Sequence, residues 1–176
     1  MNKTKRITSI SIFVALALVL DYIKEFIPFL NMPTGGSINI ALIPIVLCSF
    51  KLGCLDGFLA GILWWLVSSL LGLNPYFLNI MQYCLDYIIP SGIVGLCSLF
   101  YKHSKTIEIE LGILFVMIIR TIVLILSGAI YWPDNVASNS FEAYMMSITY
   151  NLPYCIFTTI MLMIIIPIIL NRLSDV

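Results

Sequence analysis

Asp86 stands in the run CLDYIIPSG (84–92), a carboxylate among apolar and aromatic neighbours in a chain of 176 residues that carries only nine acidic and nine basic side chains. Asn79, Gln82 and Asp86 recur at i, i+3 and i+7, which puts them on one face of a helix. Tyr83, Tyr87 and Pro90 form an edge beside that face. Ser147, Tyr150, Asn151, Tyr154 and Thr158 make a second polar and aromatic stripe. Arg120, Leu124, Ser127, Gly128 and Tyr131 run in similar register up to Trp132. Three such faces suit one central cavity, whose carboxylate would meet a cation or amine and whose rings would stack on it.

A second reading of Asp86 stays open, in which it forms a structural ion pair with Arg120, the one cation in mid-span. Arg120 can also snorkel toward the membrane surface and leave Asp86 free. Trp64, Trp65, Tyr76, Tyr87, Tyr131 and Trp132 supply rings in the outer or middle portions of their spans, and each taken singly also fits packing or an interfacial aromatic belt. Gly128 would allow a ligand close to the backbone, and a glycine there equally suits helix packing.

The elements that must position these residues follow from composition: 61% of residues are hydrophobic, 10% are charged and the mean hydropathy is +1.05. That balance is far from a soluble globular average and predicts an all-α integral membrane protein. Apolar stretches at 8–20, 38–50, 54–71, 77–100, 109–131 and 143–170 predict six transmembrane helices in a single domain over 1–176, since a bilayer core of ~30 Å takes about 20 helical residues. The second stretch is short and suits a tilted or partly buried helix. Period-two alternation is absent, which argues against a barrel.

Lys3, Lys5, Arg6, Lys51, Lys102, Lys105 and Arg172 all fall on one side of a six-span arrangement, whereas the opposite loops hold Lys24 with Asp21, Glu25, Asp134 and Glu142. The basic side faces the cytoplasm, so both termini are expected there. Asp86 and Asn151 each lie about ten residues in from the outer surface, or roughly 15 Å of helix rise. An ionisable group at such depth costs about 2.5–3.5 kcal/mol on insertion scales and commonly faces a cavity or partner.

Other chemistry is poorly represented. Cys48, Cys54, Cys84, Cys97 and Cys155 show no paired spacing and read as small buried hydrophobes rather than metal or redox ligands. His103 sits in the basic loop YKHSK, on the side away from Asp86. No H-E-x-x-H or G-x-S-x-G string supports an enzyme, and no phosphate loop supports ATP hydrolysis by this chain. No catalytic residue, metal, cofactor or nucleic acid is expected. A single buried acid also argues against a channel, which would show rings of charge.

The segments MPTGGSINIALIPI (32–45), CLDYIIPSG (84–92), LSGAIYW (126–132) and YNLPY (150–154) resemble, in order, the thiamine-specific S component (the ThiT family) of energy-coupling factor (ECF) vitamin transporters. The resemblance implies a six-helix protein in a prokaryotic cell membrane that captures thiamine from outside. It implies Asp86 as the pocket carboxylate, Tyr87 as its aromatic neighbour and Trp132 as the stacking ring. Gly128 would be a close backbone approach and Asn151 the amide that meets the pyrimidine. Tyr150, Trp64 and Gln82 are further ligand-binding candidates, taken from the polar and aromatic faces rather than from the resemblance. Gly35, Gly36 and Ser37 match a glycine-rich lid. Ser11 and Ala15 form a small-x-x-x-small pair on the first helix, the implied contact for a transmembrane coupling subunit that works with two ATPases.

Two positions depart from the family pattern: Leu124 stands where members often carry histidine, and Met146 where a tyrosine is usual. Those two contacts are not carried over, and Pro153 in NLPY is expected to disturb its helix locally. The alternatives are an S component for another vitamin or pyrimidine and, from other classes, an intramembrane enzyme or channel subunit.

Overall fold

The computed structural model describes residues 2–73, 76–102 and 105–174, the side chains of residues 173 and 174 excepted. Among the described residues, seven α-helices follow the apolar runs: α1 (Lys3–Lys24), α2 (Leu42–Leu52), α3 (Cys54–Leu70), α4 (Ile80–Tyr83), α5 (Ile89–Val94), α6 (Thr106–Tyr131) and α7 (Phe141–Ser174). A π-turn over Cys84–Ile88 joins α4 to α5, and a 3-10 turn over Cys97–Phe100 follows, so residues 80–100 form one interrupted rod. No strand occurs among the described residues, and His103 lies outside them.

Four of these stretches are long and apolar enough to cross a membrane: Lys3–Lys24, Ile80–Phe100, Thr106–Tyr131 and Phe141–Arg172. Helix α2, with 11 residues, rises only about 16 Å. It is enclosed by its neighbours, with Leu42, Ile45, Val46 and Cys48 fully buried. It starts four residues later than the apolar pattern predicts, because the backbone of 38–41 is bonded elsewhere: Ile38 N–H donates to the Leu30 carbonyl (2.8 Å) and Asn39 N–H to Thr158 Oγ1 (3.1 Å). Helix α7 continues through Pro153 and Pro167, so the disturbance expected at Pro153 does not break it.

The outer surface is apolar at helical spacing. Leu55, Leu59, Leu63, Leu66 and Leu70 line the exposed face of α3, and Ile156, Ile160, Ile164 and Ile168 that of α7. Exposed apolar surface on this scale suits lipid rather than water. Inside, α3 and α5 approach closely at Gly57 and Gly95, where a Cβ on Gly57 would lie 2.3 Å from the Gly95 carbonyl oxygen. Small residues allow such contact where the hydrophobic effect gives no drive between helices.

Helix α1 is fastened to α3 at both ends. Arg6 forms a two-pronged hydrogen-bonded ion pair with buried Asp56. At the other end Asp21 accepts from Lys24 Nζ (2.9 Å) and Ser68 Oγ (2.8 Å). Along α6 and α7 the packed core, including Ile109, Ile113, Met117, Leu162 and Ile166, occupies the half near the α6 N-terminus. The opposite half opens into a cavity.

Candidate ligand-binding site

The cavity has a volume of about 1060 Å³ and is walled by α3, the π-turn, α6, α7 and the segment between α1 and α2. Asp86 sits in the π-turn, a rare element that is frequent at functional sites because its wider turn re-aims side chains. Its Oδ2 accepts two hydrogen bonds, from Gln82 Nε2 (2.7 Å) and from Trp132 Nε1 (2.7 Å). Its Oδ1 accepts none among the described residues, which leaves one carboxylate oxygen for a ligand. No ion pair joins Asp86 to Arg120 among those residues, so the alternative pairing that the sequence left open is absent there.

Gln82 is fully buried and lies outside the cavity lining, although the sequence spacing put it among the ligand-binding residues. Its role here is to hold Asp86: its Oε1 accepts from Leu78 N–H (3.1 Å) while its amide donates to the carboxylate. Asn79 caps α4 by accepting from Gln82 N–H (2.9 Å). The three polar residues thus form a relay rather than a shared lining face. Tyr87 lines the cavity and stacks on Trp65 (centroids 5.8 Å apart, planes 18° apart), with Tyr83 edge-on to both. Trp132 closes the C-terminal end of α6 and remains 44% exposed, its ring available to a ligand.

On α7, Asn151 is buried and faces the cavity with its amide already engaged. Nδ2 donates to the Ser147 carbonyl (3.0 Å) and to Ser147 Oγ (3.2 Å), and Oδ1 accepts from Tyr154 Oη (2.5 Å). An amide oxygen has two lone pairs, so Oδ1 keeps one for a ligand donor. Gly128 lines the cavity and also packs against α7: a Cβ there would lie 2.2 Å from Ser147 Oγ. Trp64 lines the wall from α3.

Residues 28–39 cover one side of the cavity. The chain makes a 3-10 turn over Pro28–Leu30, and a tight turn in which Asn31 bridges to Ser37 and Met32 accepts from Gly35 N–H (3.0 Å). Gly35 and Gly36 have φ of +97° and +73°, a region that disfavours side chains. A Cβ on Gly35 would lie 2.2 Å from the Tyr150 ring, and one on Gly36 2.4 Å from the Tyr154 ring. Gly36 and Ser37 line the cavity, as does Tyr150.

Leu124 and Met146, the two departures from the resembled pattern, both line the cavity. The lining also includes residues the sequence reading did not select: Asp21 and Lys24 at the end of α1, Thr34 and Asn39 beside the glycines, and Ser91. The Asp21–Lys24 spacing at i, i+3 was a usable signal for the first two, since it pairs them at a helix end. Ser11 and Ala15 are exposed on α1, away from the cavity.

Residues 7–176 match the family model described as thiamine transporter protein (Thia_YuaJ). The thiamine transporter ThiT of Bacillus subtilis (strain 168) is 31% identical over 170 residues, spanning 89% of this chain and 86% of that protein. A solved structure of ThiT from Listeria monocytogenes superposes with a TM-score of 0.83 at 22% identity, covering 98% of this chain and 97% of that one, so the fold is shared. A match over nearly the whole length, together with a cavity inside an apolar helical bundle, makes this chain a member of the thiamine transporter protein family (Thia_YuaJ).

Proposed function

We propose that this chain is the substrate-capture (S) component of an ECF-type transporter, taking thiamine from outside the cell for ATP-driven uptake. The family and the apolar helices make it a multi-pass protein of a prokaryotic cell membrane. The observation that carries the ligand reading is Asp86, set by Gln82 and Trp132 with one oxygen open to a cavity of ligand size. A permanently cationic thiazolium and an aminopyrimidine suit such a wall, because a low-dielectric carboxylate with stacked rings favours a flat cation over a neutral competitor. Asn151 Oδ1 would accept from the pyrimidine amine, and the turn over Gly35, Gly36 and Ser37 would be the lid.

Energy is assigned to partners, since the sequence has no G-x-x-x-x-G-K-[ST] loop. The exposed Ser11 and Ala15 support α1 as the docking face for a transmembrane coupling subunit carrying two ATPases. Six spans with both termini in the cytoplasm are supported by the alternation of α1, α2, α3, the 80–100 rod, α6 and α7, and by basic residues at one end. Titration of the purified protein with thiamine tests the reading: saturable quenching of tryptophan fluorescence, lost in Trp132→Phe, is the expected result. An unchanged signal with thiamine and a saturable one with another vitamin would reassign the ligand.

A further inference from the structure

Arg120 is 92% buried by its 8% exposure and lines the cavity from the middle of α6, yet its Nε and Nη1 have no hydrogen-bond partner among the described residues. The indole N–H groups of Trp64 and Trp65 are likewise buried without partners, and both residues line the same cavity. All these unmet groups are donors. None of the carboxylates that face the cavity pairs with Arg120 among the described residues: Asp86 bonds Gln82 and Trp132 through Oδ2, Asp21 bonds Lys24 and Ser68, and Asp134 bonds Asn135. A buried guanidinium without an acceptor is costly, more so in a bundle surrounded by lipid.

We propose that Arg120 is the recognition group for a phosphoryl oxyanion bound in this cavity, with Trp64 and Trp65 as accessory donors. A guanidinium presents N–H groups in a planar fork that fits phosphoryl oxygens two at a time. Space is adequate, because about 1060 Å³ slightly exceeds the usual range of ligand pockets, roughly 300–1,000 Å³. The proposal rests on the reading of this cavity as the thiamine site. Thiamine ends in a hydroxyethyl arm whose phosphate ester would carry the anion, and free phosphate beside the vitamin has the same chemistry. Arg120 then divides the cavity into an anion-binding region and, at Asp86, a cation-binding one.

The test is isothermal titration calorimetry of the full chain in lipid nanodiscs with thiamine, thiamine monophosphate and inorganic phosphate, using wild type, Arg120→Gln and Arg120→Lys. Arg120→Gln should weaken the monophosphate by at least about tenfold relative to thiamine, the scale of a lost hydrogen bond to a charged group. Thiamine itself, a cation relieved of a like charge, should bind no more weakly, and Arg120→Lys should recover part of the loss. If free phosphate is the source, inorganic phosphate should instead tighten thiamine in wild type and not in Arg120→Gln. Equal loss of thiamine and its ester, or no Arg120-dependent effect of either phosphate, overturns the proposal. Failure of wild type to bind thiamine would instead overturn the proposed function, while inorganic phosphate alone still reports on Arg120.

Discussion

At Asp86 two donors meet one oxygen and leave the other open, so the carboxylate is fixed in direction before any ligand arrives. Preorganisation of this kind saves the entropy of ordering the group on binding. Asp86→Asn should lower thiamine affinity by about 2–5 kcal/mol, the range for breaking a desolvated charge pair. Because Arg120 is not its partner, adding Arg120→Gln should not restore wild-type affinity or recover a melting temperature; full rescue in the double variant would reinstate the ion pair. Gln82→Leu removes only the relay, and calorimetry should show a loss of about 1–3 kcal/mol, smaller than that of Asp86→Asn. Asp86 was legible in the sequence because a charge in an apolar run is expensive. Gln82 was legible as a participant and not as a support, since helical spacing gives the shared face but not which side chain reaches the cavity. The fate of Arg120 was not legible, because two charges in register do not fix the distance between their tips.

The elements show the same division. Long apolar runs gave α1, α6 and α7 directly, whereas the start of α2 was hidden: 38–41 continues the apolar run into the helix, and only its bonds to Leu30 and Thr158 reveal that it belongs to the segment before α2. The π-turn was hidden too, because a reading at 3.6 residues per turn assumes the register that the turn breaks. Gly35 and Gly36 were visible as a pair, and the structure adds what a side chain there would touch. Valine at Gly35 and Gly36 would enter a disfavoured backbone region and drive Cβ atoms into the Tyr150 and Tyr154 rings. The lid in Gly35→Val/Gly36→Val should therefore sit higher over the cavity, and stopped-flow fluorescence should show a faster thiamine off-rate. Unaltered on- and off-rates would remove residues 28–39 from any gating role.

Across the whole molecule, α1 is fixed at its two ends and packed along one face, with the opposite face open. The Arg6–Asp56 pair and the Asp21–Lys24–Ser68 cluster fix it to α3, while Val14 and Ala17 turn inward and Ser11 and Ala15 turn out. A face presented in this way is suited to meet a second protein without change in the bundle behind it. Ala15→Trp adds bulk only outward, so thiamine binding by the isolated protein and its melting temperature should match wild type. Uptake by the assembled transporter should be abolished, since close approach of a partner helix depends on small side chains. Ala17→Trp is the contrasting change: Ala17 is fully buried, and overpacking there should destabilise the fold by about 1–3 kcal/mol or more, lowering the melting temperature whether or not partners are present. Vesicle uptake that survives Ala15→Trp would show that coupling runs through another face of the bundle.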